Sequence, residues 1–175
     1  MTNSQVLFVL LVPTLRCNLR CEYCYIDHSL ENLPDMNMED WKYAYDWVRK
    51  YALFLGISKI RFLWFGGEPL CYGAERIYSS IAMQNQIFEE SFCIRNKIQS
   101  NLILVDSFVC DLVSSSFGNA IGGSFEPFSQ SRCFKDGSPA TDIILEKISL
   151  LKQRKINVGI VSTLLKKKGY VTFFL

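Results

Sequence analysis

Val6-Leu-Phe-Val-Leu-Leu-Val-Pro13 contains no polar residue and leads, through Thr14-Leu-Arg16, into Cys17-Asn-Leu-Arg-Cys21-Glu-Tyr-Cys24. A short apolar run of β-branched and aromatic residues reads as a strand buried on both faces. It delivers the chain directly into a C-x3-C-x2-C loop.

The rest of the chain continues the alternation that this strand begins. Asn37 is placed to cap a helix in which Trp41, Tyr45, Val48, Ala52 and Leu55 share one face and Gly56 ends the run. Strands are expected at Lys59–Phe65, Phe92–Gln99, Ala120–Phe125 and Asn157–Leu164, with helices at Ala74–Glu90, Asp106–Ser116 and from Pro139 to about Lys155. In the last of these, Lys152, Arg154 and Lys155 would complement the helix dipole. Parallel neighbours need crossover connections, so the pattern predicts an α/β fold with a parallel sheet and about five βα units.

A complete eight-unit barrel takes about 250 residues. With 175 residues, the chain is expected to form a partial TIM-like barrel over residues 1–165. Lys166-Lys-Lys-Gly-Tyr170 and the apolar Val171–Leu175 break the rhythm, and residues 166–175 are read as an aberrant or truncated tail.

Composition narrows the function classes. The chain is 49% hydrophobic and 21% charged, as expected for one packed domain, and a net charge of +2 argues against a nucleic-acid track. The first apolar run is far shorter than the roughly 20 residues of a membrane span, and Met1–Gln5 carry no Lys or Arg to open a secretory signal. The expectation is a cytoplasmic protein.

Three of the seven cysteines crowd into the loop, while Cys71, Cys93, Cys110 and Cys133 are scattered, which argues for metal binding rather than a disulfide framework. Three thiolates on a short loop can each take one iron of a cubane cluster and leave a fourth iron without a protein ligand. An iron left open can accept a cosubstrate directly. The alternatives are a zinc site, which normally needs a second ligand pair, or a chance cluster of buried cysteines. Cys71, Cys93 and Cys110 read as small core residues, and His28, the single histidine, as a loop residue.

The string from Cys17 to Tyr25 resembles the signature of the radical S-adenosylmethionine (SAM) superfamily, in its peptide- and sulfatase-maturing branch, which often carries a SPASM extension. The resemblance covers about Val6 to Thr163. It implies a [4Fe-4S] cluster on Cys17, Cys21 and Cys24, with SAM bound at the open iron through its amino and carboxylate groups. Gly66-Gly-Glu68-Pro69, just past the second strand, looks like the motif that contacts the SAM amino group. Gln99-Ser-Asn101 and Ser124 match strand-end positions of that branch, and the resemblance gives Ser124 and Arg132 the SAM carboxylate and Tyr23 the adenine. Glu126-Pro127 departs from the family's Asp-Gly-Pro. Each of these also has a structural reading: Asn101 and Ser124 as strand-end hydrogen-bonding groups, Arg132 as a loop charge.

The implied activity is reductive cleavage of SAM to a 5'-deoxyadenosyl radical that takes a hydrogen from a peptide or protein. The cofactors carry this chemistry, so no side chain need act as catalyst. A one-electron donor such as flavodoxin or ferredoxin is the implied partner. An inactive remnant or a metal-binding interaction module is the non-enzyme alternative, and RNA modification is a further one.

Overall fold

The computed structural model describes residues 5–127, 129–166 and 169–174, with side chains described as far as Thr163. Five strands run parallel in chain order: β1 Val6–Leu11, β2 Lys59–Trp64, β3 Cys93–Ser100, β4 Ala120–Ser124 and β5 Asn157–Lys166. Helices α1 Met38–Leu55, α2 Ala74–Phe88, α3 Ser107–Ser116 and α4 Thr141–Gln153 alternate with them. The sheet stays open, with β1 at one edge, so the architecture is the expected partial barrel.

A sixth strand, β6 Gly169–Phe174, pairs antiparallel with β5 and extends the sheet. The sequence reading had no strand there and expected parallel strands only. Antiparallel neighbours need no crossover helix, so β6 can join the sheet directly beside β5. Lys167, Lys168 and Leu175 of the expected tail lie outside the described residues.

One face of the sheet is sealed by helices. Ile60, Phe62 and Trp64 are fully buried on it, and Trp64 meets Trp41 of α1 with ring centroids 4.9 Å apart. Tyr45 and Phe88 close edge-on around Phe62. Asn37 and Asp40 cap α1 reciprocally, and Gly56 ends it at φ +66°.

Several expectations are corrected. β1 is buried on one side only: Phe8 is 71% exposed and Leu10 58%, because the helices cover the other face of the sheet. Leu55, the last residue of α1 before its left-handed cap, is exposed rather than on the buried face. α4 starts two residues after Pro139 and stops at Gln153, so Arg154 and Lys155 lie beyond its last turn. Pro139 instead bridges Cys133 in an extended segment. No helix among the described residues is long and apolar enough to cross a membrane.

Candidate functional site

The loop after β1 is held from below by the loop after β2. Gly67 N donates to Thr14 O and Glu68 N to Arg16 O, at 3.1 and 2.8 Å. A Cβ on Gly67 would run into the carbonyl oxygens of Leu15 and Arg16, and one on Gly66 into that of Thr14. These glycines therefore admit the backbone of the cysteine loop.

Glu68 is buried, and its carboxylate accepts from Leu70 N (3.0 Å), Ser100 Oγ (2.8 Å) and Asn101 N (2.6 Å). Burial pushes its pKa up, while the backbone donors of Asn101 and Leu70, the Ser100 hydroxyl and the Arg132 charge oppose the shift. The residue ties the end of β3 to the loop after β2. Pro69 opens the short 3-10 turn Pro69–Tyr72 that Glu68 caps.

Asn101 then reaches the cysteines. Its Nδ2 lies 3.7 Å from Cys17 Sγ and donates to Asn18 Oδ1 at 2.8 Å. The Cys71 thiol is 3.9 Å from the same Asn18 oxygen. Two donors on that oxygen fix the orientation of the amide, and Asn18 Nδ2 is left buried with no partner among the described residues. An acceptor beside Cys17 is what this nitrogen lacks.

On the other flank, Arg132 is buried against Glu126, with Nε 2.9 Å from Oε2 and Nη2 3.2 Å from Oε1. Its Nη1 lies 3.7 Å from Cys21 Sγ, and Nη2 donates to the Tyr23 hydroxyl. The guanidinium thus has its bidentate partner inside the protein. Tyr23 packs with this arginine, whose Cζ is 5.6 Å from the ring centroid. Glu126 also accepts from Thr163 N at 3.2 Å, which links the loop after β4 to β5.

Gln99 Nε2 donates to Ser124 Oγ at 3.0 Å, joining the ends of β3 and β4 where only Gln99–Gly122 and Ser100–Gly123 pair. Gly122 makes room for Gln99: a Cβ there would run into its side-chain amide. The candidate residues therefore fall into two hydrogen-bonded groups, Glu68–Asn101–Cys17 and Glu126–Arg132–Cys21–Tyr23, with Gln99–Ser124 at the adjoining strand ends.

Cys17, Cys21 and Cys24 are half-buried and unbridged. Burial pushes the Cys17 thiol up to about 12, against a hydrogen bond from Leu19 N, and raises Cys21 against the Arg132 charge. Metal binding at these sulfurs has to displace protons. Among the described residues no three His, Cys, Asp or Glu side chains converge on one ion position. A cubane distributes its thiolates over separate irons. The donor set, with an unpartnered buried N–H beside it, suits that kind of group.

The remaining residues are placed as follows. A cleft of about 630 Å³ opens beside Cys17 and Cys71 but touches none of Gln99, Ser124 and Arg132. Cys110 is a core residue as expected; Cys93 is exposed, contrary to expectation, because it starts β3 on the uncovered face. Cys133, beyond the three-cysteine motif, donates to Arg20 O at 2.9 Å. His28 pairs with Glu31 at 2.8 Å in the 3-10 turn His28–Asn32. Asp35, which the sequence did not single out, receives Arg16 and Arg76 and braces the loop.

The family model described as the radical SAM superfamily matches residues 11–170. The chain is 28% identical over 150 residues to the serine-type anaerobic sulfatase-maturating enzyme of Klebsiella aerogenes, covering 83% of this chain and 36% of that protein. It is 31% identical over 163 residues to an uncharacterized protein of Methanocaldococcus jannaschii, covering 91% and 53%. Among solved structures, a histidine-tagged anSMEcpe with bound AdoMet aligns with TM-score 0.77 at 22% identity, over 89% of this chain and 43% of that one. Streptococcus suis SuiB bound to precursor peptide SuiA aligns with TM-score 0.56 at 17% identity, over 87% and 31%. At these identities the structures establish a shared fold. The chain spans between about a third and a half of the length of these curated relatives.

Proposed function

The chain belongs to the radical SAM superfamily, and from that premise we propose that it holds a [4Fe-4S] cluster on Cys17, Cys21 and Cys24 and cleaves SAM reductively to modify a peptide. The observation that supports this most is the pair of donors aimed at two of the three sulfurs, Asn101 toward Cys17 and Arg132 toward Cys21. Donors to cluster sulfurs orient ligands and tune potential. When bound, the cluster and SAM supply the one-electron chemistry; the protein positions them and excludes competing reactions.

Each remaining residue has a role within this reading. Gly66 and Gly67 let the cysteine loop seat on the strand ends, and their carbonyls are proposed to receive the SAM amino group. Glu68, too deeply hydrogen-bonded to reach a ligand itself, holds Asn101 in place. Ser124, oriented by Gln99, is proposed to bind the SAM carboxylate and Tyr23 the adenine; the bidentate pair with Glu126 turns Arg132 toward Cys21 rather than toward the SAM carboxylate that the resemblance implies for it. The peptide class rests on similarity to the sulfatase-maturating enzymes and to a protein solved with a precursor peptide. A one-electron donor such as flavodoxin or ferredoxin is the proposed partner, and the cytoplasm the proposed location.

The deciding experiment is anaerobic reconstitution followed by dithionite and SAM. About four irons and four sulfides per chain, with 5'-deoxyadenosine formed, is the expected result. Zinc alone, or no metal with all three cysteines reduced, would overturn the proposal.

A further inference from the structure

The face of the sheet opposite the helices carries an unbalanced charge. Register places Phe8, Arg61 and Arg95 in one row across β1, β2 and β3, and Leu10, Leu63 and Lys97 in the next. Lys59 stands on the same side of β2, two residues before Arg61. Arg61, Arg95 and Lys97 are exposed and, with Phe8, Leu10 and Leu63, line a groove of about 500 Å³. Lys59 continues it along β2 into an adjoining hollow.

Nothing in the sheet offsets these four cations. No strand from β1 to β6 contains an Asp or a Glu. Among the described residues none of the four makes an ion pair. The whole chain carries only +2, so the acids are segregated onto helices and loops. Arg61 stands 5.5 Å from the Phe8 ring centroid, a contact worth little while exposed. Like charges on adjacent strands, roughly 5 Å apart, repel, and apolar walls focus their field outward. Such a surface gains most from an anionic occupant.

The groove also leads to the site. Gln99 is the next residue on this side of β3 after Lys97, and it holds Ser124. Arg95 and Lys97 are two residues apart, roughly 7 Å along the strand, which is the repeat of carboxylates on alternate residues of an extended peptide.

We infer that this groove binds an acidic, extended stretch of the peptide on which the strand-end site acts, an inference that rests on the proposed peptide-modifying function. Arg95 and Lys97 are its main determinants, Arg61 and Lys59 extend it, and Phe8, Leu10 and Leu63 supply apolar contact between the charges.

The test is fluorescence anisotropy with labelled twelve-residue peptides that carry Glu, Gln or Lys at alternate positions and are otherwise identical. The Glu peptide is expected to bind at least about tenfold more tightly than the Gln peptide at low salt, with the preference shrinking as salt rises. Arg95→Gln with Lys97→Gln should erase it, whereas Lys42→Gln with Lys50→Gln, on the exposed side of α1, should not. Arg95→Glu with Lys97→Glu should turn the preference toward the Lys peptide, a gain that misfolding cannot imitate. Equal binding of the Glu and Gln peptides, or an equal loss from the α1 pair, would overturn the inference. Binding needs neither cluster nor SAM: failure of reconstitution leaves this result standing, and SAM cleavage without a Glu preference defeats only this inference.

Discussion

The side-chain nitrogen of Asn101 lies 3.7 Å from the sulfur of Cys17, although 84 positions separate the two residues. Glu68 makes the approach possible: its carboxylate takes the Asn101 backbone N–H at 2.6 Å and leaves the side chain directed at the cysteine loop. A buried carboxylate thus sets where a neutral donor meets a sulfur of the cysteine loop.

Replacing Asn101 with Leu should lower the reduction potential of the reconstituted cluster, since a donor to a cysteine sulfur stabilises the more negative reduced state. A net hydrogen bond of about 1 kcal/mol corresponds to a shift on the order of 40 mV for a one-electron couple. Potentiometry followed by electron paramagnetic resonance checks it; an unchanged potential would show that the 3.7 Å contact has no electronic consequence.

Gly67→Ala and Gly56→Ala should behave differently. The first forces a Cβ to 2.7 Å from the Leu15 carbonyl carbon and against the carbonyls that carry the cysteine loop, whereas the second meets nothing within 4 Å and suffers only its left-handed backbone. The expected cost is about 1–2 kcal/mol for Gly56 and about 1–3 kcal/mol for Gly67. Iron content after reconstitution should fall for Gly67→Ala alone.

Arg132→Gln strands the Glu126 carboxylate in a buried position and should cost about 3–5 kcal/mol. Pairing Arg132→Met with Glu126→Leu should cost less than either single change, because no charge is then left unpaired, although Thr163 N loses its acceptor. Urea unfolding of the two singles and the double supplies the cycle. Additive losses would mean that the 2.9 Å ion pair contributes no coupling.

The cluster-free chain should lose stability in alkali. Burial pushes Cys71 up to about 11 and Cys17 up to about 12 from the ordinary value of 9.0. Their native pKa values are raised, so between about pH 9 and 11 the unfolded chain has given up thiol protons that the folded one retains, and stability falls as pH rises. The urea midpoint should decline across that window, and less steeply in Cys71→Ser. A flat midpoint would contradict the assigned burial of these thiols.

Much of the fold was legible because its signals are local. Asn37 and Gly56 mark the ends of α1 through hydrogen bonds to their own neighbours, and the apolar runs mark the strands. Where local patterning failed, the reason lies in what packs across the element. Val6–Pro13 has the composition of a doubly buried strand, but among the described residues one face of β1 meets no helix and no further strand lies along its edge. Cys93 is apolar enough for a core, yet it shares the uncovered side of β3 with Arg95 and Lys97.

For the candidate site, the three cysteines stood out by their spacing and Gly66–Pro69 by resemblance to a family motif, since both are written in consecutive residues. The partners of those residues did not: Glu126 had looked like a departure from a motif and proved to be the counterion of Arg132, and Gly122 had carried no meaning until Gln99 was found to occupy its missing side chain.

By itself the sequence determined the alternating α/β order, the cysteine loop behind the first strand and the superfamily to which the chain belongs. Only the tertiary structure decided which donor faces which sulfur, where Arg132 spends its charge and that four cations share an acid-free face. Those are meetings between strand ends far apart in the chain, and they follow from parallel register and burial, which no local window of residues contains.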